Sequence, residues 1–198
     1  MKAQAPQIGF DRFIPLAWAD CALRIRAGEA DIEALGKLLD QAEPGAAARK
    51  KTRTVLNRLW LKPRAELVGF ADRGVALYRQ YPATPAAALS WGMAISTYPF
   101  FGKVAEFIGR LSALQGDCAS AEIHRRMMEI YGEREGTRRM TNMVIQTQVD
   151  WGSLARTGGG KRLARQPQCS GPERQRVASS VVSRLRSLPG NPSRLGFE

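Results

Sequence analysis

Apolar residues recur through most of this chain at the three-to-four-residue spacing that gathers them on one face of a helix. After Ile14-Pro15-Leu16, the positions Trp18, Cys21, Ala22 and Ile25 share a face until Gly28 interrupts it. Residues 31–39 repeat the period with Ile32, Leu35, Leu38 and Leu39. Pro44-Gly45 reads as a turn, and a longer helix is expected over 46–61, halted by Pro63. Leu67, Phe70, Val75, Leu77 and Tyr78 then supply apolar contacts, 81–85 forms a proline-stiffened connector, and 86–95 predicts another helix.

The pattern is most legible from Pro99 onward. Pro99 suits a first helical turn, where its missing N–H costs nothing. Phe100, Phe101, Val104, Phe107, Ile108, Leu111 and Leu114 trace an apolar stripe that ends at Gly116. Ser120 is the expected N-cap of a second helix, with Ile123, Met127, Ile130 and Tyr131 inward and Gly132 as its stop. A third helix is expected from Thr137, with Met140, Met143, Val144 and Thr147 on its inner side. Residues 150–154 read as a short strand, followed by Gly158-Gly159-Gly160 and the basic segment 161–165. Three helices followed by a hairpin is the order of a winged helix-turn-helix.

The expected fold is therefore mainly α, an N-terminal helical domain plus a C-terminal winged helix-turn-helix with a short β-hairpin wing. The expected parts are 1–63, a helical region with room for a helix-turn-helix of its own, and 64–96, a connecting helical region. They are followed by 97–166, the winged-helix-like domain, and 167–198, a basic tail with a last helix over 172–188.

Charge adds a partner to this picture. Thirty Lys and Arg against 18 Asp and Glu leave a formal charge of +12, which favours polyanions, nucleic acid before an anionic membrane. Cys21, Cys118 and Cys169 are odd in number and far apart, which fits a reducing cytosol and no zinc site. The opening MKAQAPQIGF carries no signal-peptide core. The uncharged run 81–102 is broken by Pro82, Pro85 and Pro99, so no membrane span is expected from it.

Gly158-Gly159-Gly160-Lys161 superficially suggests a phosphate-binding loop. Such a loop needs a glycine where Ala155 stands and a Ser or Thr where Arg162 stands, and it follows a buried strand of an α/β domain. A wing accounts for the letters better: glycines supply the positive φ of a tight turn, and Lys161, Arg162 and Arg165 reach backbone phosphates. Glycine-lysine-arginine runs also serve as plain solvated connectors. Thr137, Arg138, Arg139 and Asn142 cluster at the N-terminal end of the third helix, the end that helix-turn-helix proteins insert into the major groove. Arg49, Lys50, Lys51, Arg53 and Arg58 form a second cluster with no acid between Pro44 and Arg64, readable as a phosphate-contacting surface or as a solvated helix face.

Enzyme chemistry finds little footing. His124 is the single histidine, and Glu129, Glu133, Glu135 and Asp150 are scattered among arginines, where ion pairing is the ordinary use. No catalytic role, cofactor or metal is expected.

Several short motifs add a family. Trp91-Gly92-Met93, Tyr98-Pro99-Phe100-Phe101, Ile108-Gly109-Arg110-Leu111 and Leu114-Gln115-Gly116 resemble the BrxA family of bacterial BREX phage-defence systems. Tyr131-Gly132-Glu133-Arg134, Asp150-Trp151-Gly152, Lys51-Thr52-Arg53-Thr54 and Asn57-Arg58-Leu59 are similar to the same pattern, so the resemblance covers roughly residues 10–154. It implies a small, mostly helical, non-enzymatic protein that binds DNA beside other phage-defence proteins. Double-stranded DNA is thus the expected partner. The alternative is a protein adaptor, which would need an exposed apolar face on the third helix. RNA binding is disfavoured, because Trp18, Trp60, Trp91 and Trp151 sit within apolar patterns and not on a stacking platform.

Overall fold

The computed structural model describes residues 9–42, 45–81 and 84–166. It is mainly helical with one small antiparallel sheet, and it divides into two compact units between Thr97 and Tyr98. One unit holds residues 14–97, and the other joins 9–13 to 98–166. The expected start of the winged-helix-like part at 97 lies one residue before this division. The expected separation of 64–96 from 1–63 is not seen, because 64–96 folds together with 14–63. The tail helix expected over 172–188 and Cys169 lie outside the described residues.

In the first unit, α1 (Leu16–Arg26) buries Trp18, Ala19, Cys21, Ala22 and Leu23. Next come α2 (Ile32–Ala42), whose first turn is capped by Asp31 accepting the Ala34 N–H at 2.8 Å, and α3 (Ala46–Leu56). Ile32, expected inward, is 51% exposed. α3 does not run evenly to 61: Asn57–Leu61 form one wide π turn, closed by the Lys62 N–H on the Asn57 carbonyl at 2.6 Å. The extra residue in that turn lets the neighbours Leu59 and Trp60 both face the core.

Trp60 organises this unit. Its indole N–H donates to Ser90 Oγ at 3.0 Å, and Arg26 Nη1 donates to its carbonyl at 2.8 Å while Nη2 reaches Asp72 at 2.6 Å. Ser90 belongs to α5 (Ala86–Thr97) and Asp72 to α4 (Val68–Gln80), so four segments meet around one ring. Gly74 of α4 lies against that ring, and a Cβ there would stand 3.1 Å from it.

In the second unit, α6 (Pro99–Gln115) carries Pro99 at its start and buries Phe100, Phe101, Val104 and Ile108. Edge-to-face rings knit the core: Phe10 on Tyr98 at 5.2 Å and on Phe101 at 5.1 Å, and Phe100 on Tyr131 at 4.7 Å. Leu114 and Ile130, both expected inward, are 81% and 45% exposed. Both sit in the last turn of their helices, and in α7 Tyr131 takes the inner position beside Ile130.

After α6 come β1 (Asp117–Ala119), α7 (Ser120–Tyr131), α8 (Glu135–Asp150), β2 (Leu154–Thr157) and β3 (Arg162–Arg165). The strands lie in the order β1-β3-β2, all antiparallel. Ser120 is the first helical residue of α7 and not its cap; Ala119 holds the cap position, and the Ser120 N–H is satisfied by the Lys161 carbonyl at 2.9 Å. Residues 150–153 close α8 and turn, so the strand expected at 150–154 begins only at Leu154. Among the described residues no helix is long and apolar enough to cross a membrane. The uncharged run at 81–102 contributes α5 and the start of α6.

Candidate nucleic-acid interface

α7 and α8 are joined by the three residues 132–134, and α8 begins two residues earlier than its apolar pattern suggests. Its inner side consists of Thr137, Met140, Thr141, Val144, Ile145, Thr147 and Gln148. Thr137 was expected at the interface; it is 1% exposed, so its side chain packs inward and cannot meet a ligand. The helical period then turns Arg138, Arg139, Asn142 and Gln146 outward, and all four are exposed. Among the described residues, neither Arg138 nor Arg139 lies within ion-pair distance of a carboxylate.

The arginines of α7 differ. Arg125 and Arg126 both grip Glu122, and their charge-assisted bonds hold its carboxyl down to about 2. Arg125 reaches Glu129 as well. These cations are spoken for, whereas those of α8 are not.

The glycine run performs the turn expected of it. Gly158, Gly159 and Gly160 have φ of 54°, 64° and 86°, a succession that only glycine tolerates cheaply. Arg156 Nη1 donates to the Gly160 carbonyl at 3.1 Å, bracing the turn, and Lys161 is exposed beside it.

Strand alternation then sorts the hairpin's cations onto two faces. Leu154, Arg156, Leu163 and Arg165 share the face that carries buried Cys118, while Thr157 and Arg162 share the other with Asp117. Arg162 is thereby turned away from the expected surface. Its Nε donates to Asp117 Oδ2 at 2.8 Å and its Nη2 to Oδ1, and the pairing holds the Asp117 carboxyl below the usual range. Arg162 is a strut between β1 and β3. Arg156, not among the expected site residues, is exposed on the Leu163 face.

His124 of α7 links the two elements. Its Nε2 lies 3.1 Å from Asn142 Oδ1, and its Nδ1 is buried without a partner among the described residues. Burial lowers its proton affinity against the opposing effect of the Asn142 bond, and the charges of Arg138 and Arg156 lower it further. One ring therefore feels a cation from α8 and another from β2.

The second basic cluster belongs to the other unit. Lys50, Lys51, Arg53 and Arg58 are exposed, whereas Arg49 pairs with Asp40 of α2 at 3.2 Å. Arg49 and Asp40 line an open pocket of about 300 Å³ with Leu39, Ala46, Lys50 and Arg53. Arg49 thus couples α2 to α3, and its charge is partly neutralised there. Among the described residues no three of His, Cys, Asp and Glu group closely enough to hold a metal ion.

Compared with family models, curated proteins and solved structures, the chain matches none.

Proposed function

We propose that residues 98–166 form a winged helix-turn-helix that binds double-stranded DNA, with α8 as its recognition helix and the β2–β3 hairpin as its wing. The order helix, strand, helix, helix, strand, strand and the β1-β3-β2 sheet support that architecture. The observation that carries the function is the sorting of charge among the described residues: Arg138, Arg139, Arg156, Lys161 and Arg165 are exposed and outside any ion pair there, while Arg125, Arg126 and Arg162 are tied to carboxylates. Unneutralised guanidinium and ammonium groups bind phosphate by releasing counterions, and Asn142 on the same surface supplies a group that can meet a base edge.

An adaptor that docked a protein through α8 would expose apolar residues there. Among the described residues the exposed large apolar side chains are Ile32, Val68, Tyr81, Leu114 and Ile130, none of them on α8. Membership of a phage-defence system is proposed on the BrxA resemblance alone.

The test is fluorescence anisotropy of a labelled mixed-sequence duplex titrated with the full chain at low salt. Saturable binding that collapses in Arg138→Glu/Arg139→Glu, with the variant's thermal unfolding unchanged, is the expected result. No binding by the wild type at low salt would overturn the proposal.

A further inference from the structure

His124 is the single histidine, and it lies under the surface just described. We propose that it is a positioning residue for DNA recognition: it holds the Asn142 carbonyl inward and leaves Asn142 to face a ligand with its N–H donors. This rests on the reading of α8 as the recognition helix.

The argument is one of satisfying buried groups. A neutral imidazole carries one N–H and one lone pair. If the proton sat on Nδ1, it would be buried with no acceptor, because Nδ1 has no partner and no contact with solvent. Nε2 would then meet the Asn142 amide with a lone pair, which reverses the amide and strands a buried donor at the far side of the ring. Placing the proton on Nε2 removes that orphan: Nε2–H donates to Asn142 Oδ1 across 3.1 Å, and Nδ1 keeps only a bare lone pair. A doubly protonated ring is opposed by burial and by Arg138 and Arg156, the charged groups acting on it from α8 and β2.

The consequence is chemical selectivity. With its oxygen engaged from below, Asn142 offers two N–H donors outward and suits hydrogen-bond acceptors, either purine N7, guanine O6 and thymine O4 in the major groove or a phosphate oxygen. It is poorly arranged for the two-pronged contact to adenine, which needs the amide oxygen as well.

Two measurements test this on the full chain. Nitrogen-15 spectra of the free protein report the ring tautomer: a protonated Nε2 and a bare Nδ1 are expected, and the reverse would overturn the proposal without touching DNA binding. Duplex titrations of Asn142→Ala, His124→Leu and the double variant then form a cycle. Each single change is expected to weaken binding about three- to tenfold, the double change no more than either alone, and His124→Gln, which keeps an N–H at similar reach, to restore most of the loss. Full affinity in His124→Leu, or additive losses, would overturn it. If His124→Leu fails to fold, His124→Gln and the tautomer still decide. Duplexes built only of A·T or only of G·C pairs compare the acceptors: an unequal Asn142→Ala loss identifies guanine O6 or thymine O4, and a uniform one a phosphate or the N7 that both purines carry. A wild type that binds no duplex would remove the function and this inference together, whereas binding without coupling removes the inference alone.

Discussion

The separation of free from paired arginines makes a quantitative prediction about salt. Each phosphate contact contributes about −0.9 to the slope of log affinity against log salt on duplex DNA. Five exposed cations of the proposed interface, Arg138, Arg139, Arg156, Lys161 and Arg165, lie outside any ion pair among the described residues. If each meets a phosphate, they contribute a slope of about −4.5, which is about a 500-fold loss of affinity between roughly 50 and 200 mM salt. Replacing Arg138 and Arg139 by glutamine should make the slope shallower by about 1.8.

The control is Arg162→Gln/Asp117→Asn. It deletes a cation two residues from the glycine turn, yet it removes a neutral pair, so the slope should not move. Anisotropy titrations at four or more salt concentrations, with circular dichroism to confirm folding, read both variants. Equal slope changes in the two would refute the assignment of free and paired charge. No change in the α8 variant would remove α8 from the interface.

Three further outcomes are expected. Gly74→Val forces a branched side chain against the Trp60 ring, which is wholly buried and hydrogen-bonded and cannot yield; a loss of about 1–3 kcal/mol in urea unfolding is expected, and unchanged stability would refute the close packing. Ser90→Ala leaves the buried Trp60 N–H without an acceptor and should cost about 1–3 kcal/mol by the same measurement. His124 binds its proton less readily folded than unfolded, so unfolding takes up a proton below the ordinary value of about 6.5; stability is full above that pH and declines as pH falls toward the depressed folded value. Unfolding at about pH 8 and pH 5.5, a window above the carboxylate range, should show a larger acid loss for wild type than for His124→Gln, and equal losses would refute it.

The helices were readable because each is long enough to repeat its pattern. α8 spans more than four turns, so Met140 and Val144 fixed its inner side and left Arg138, Arg139, Asn142 and Gln146 outside. Its errors are at the ends. Glu135 and Gly136 carry no apolar signal, so the start was placed at Thr137, whose hydroxyl suggested a ligand contact until the first turn carried it inward. Leu114 and Ile130 also lie in last turns: Leu114 has passed the end of the packed stripe, and in α7 it is Tyr131, packed on Phe100, that takes the inner position beside Ile130. The π turn at Asn57–Leu61 has no sequence signature beyond the adjacent Leu59 and Trp60, which a regular helix would rotate apart by about 100°.

The hairpin shows why charge was legible as composition before it was legible as a surface. A strand of four residues places only two side chains on each face, so an error of register moves every arginine to the opposite side. A first strand at 150–154 leaves Arg156 outside it and gives Arg162 no defined face. The needed signal was present in Leu163, the one large apolar residue of 161–165: if it is buried, alternation puts Arg165 with it and Arg162 opposite. The pairing then aligns Arg156 with Leu163 and brings Asp117, 45 residues from Arg162 in sequence, beside the guanidinium that it neutralises. Which basic residues are available to a phosphate therefore depends on strand register and on distant acids. The decisive contrast, Arg156 exposed on the Leu163 face without a carboxylate among the described residues and Arg162 paired with Asp117 on the other, came from three-dimensional pairing and not from the basic run itself.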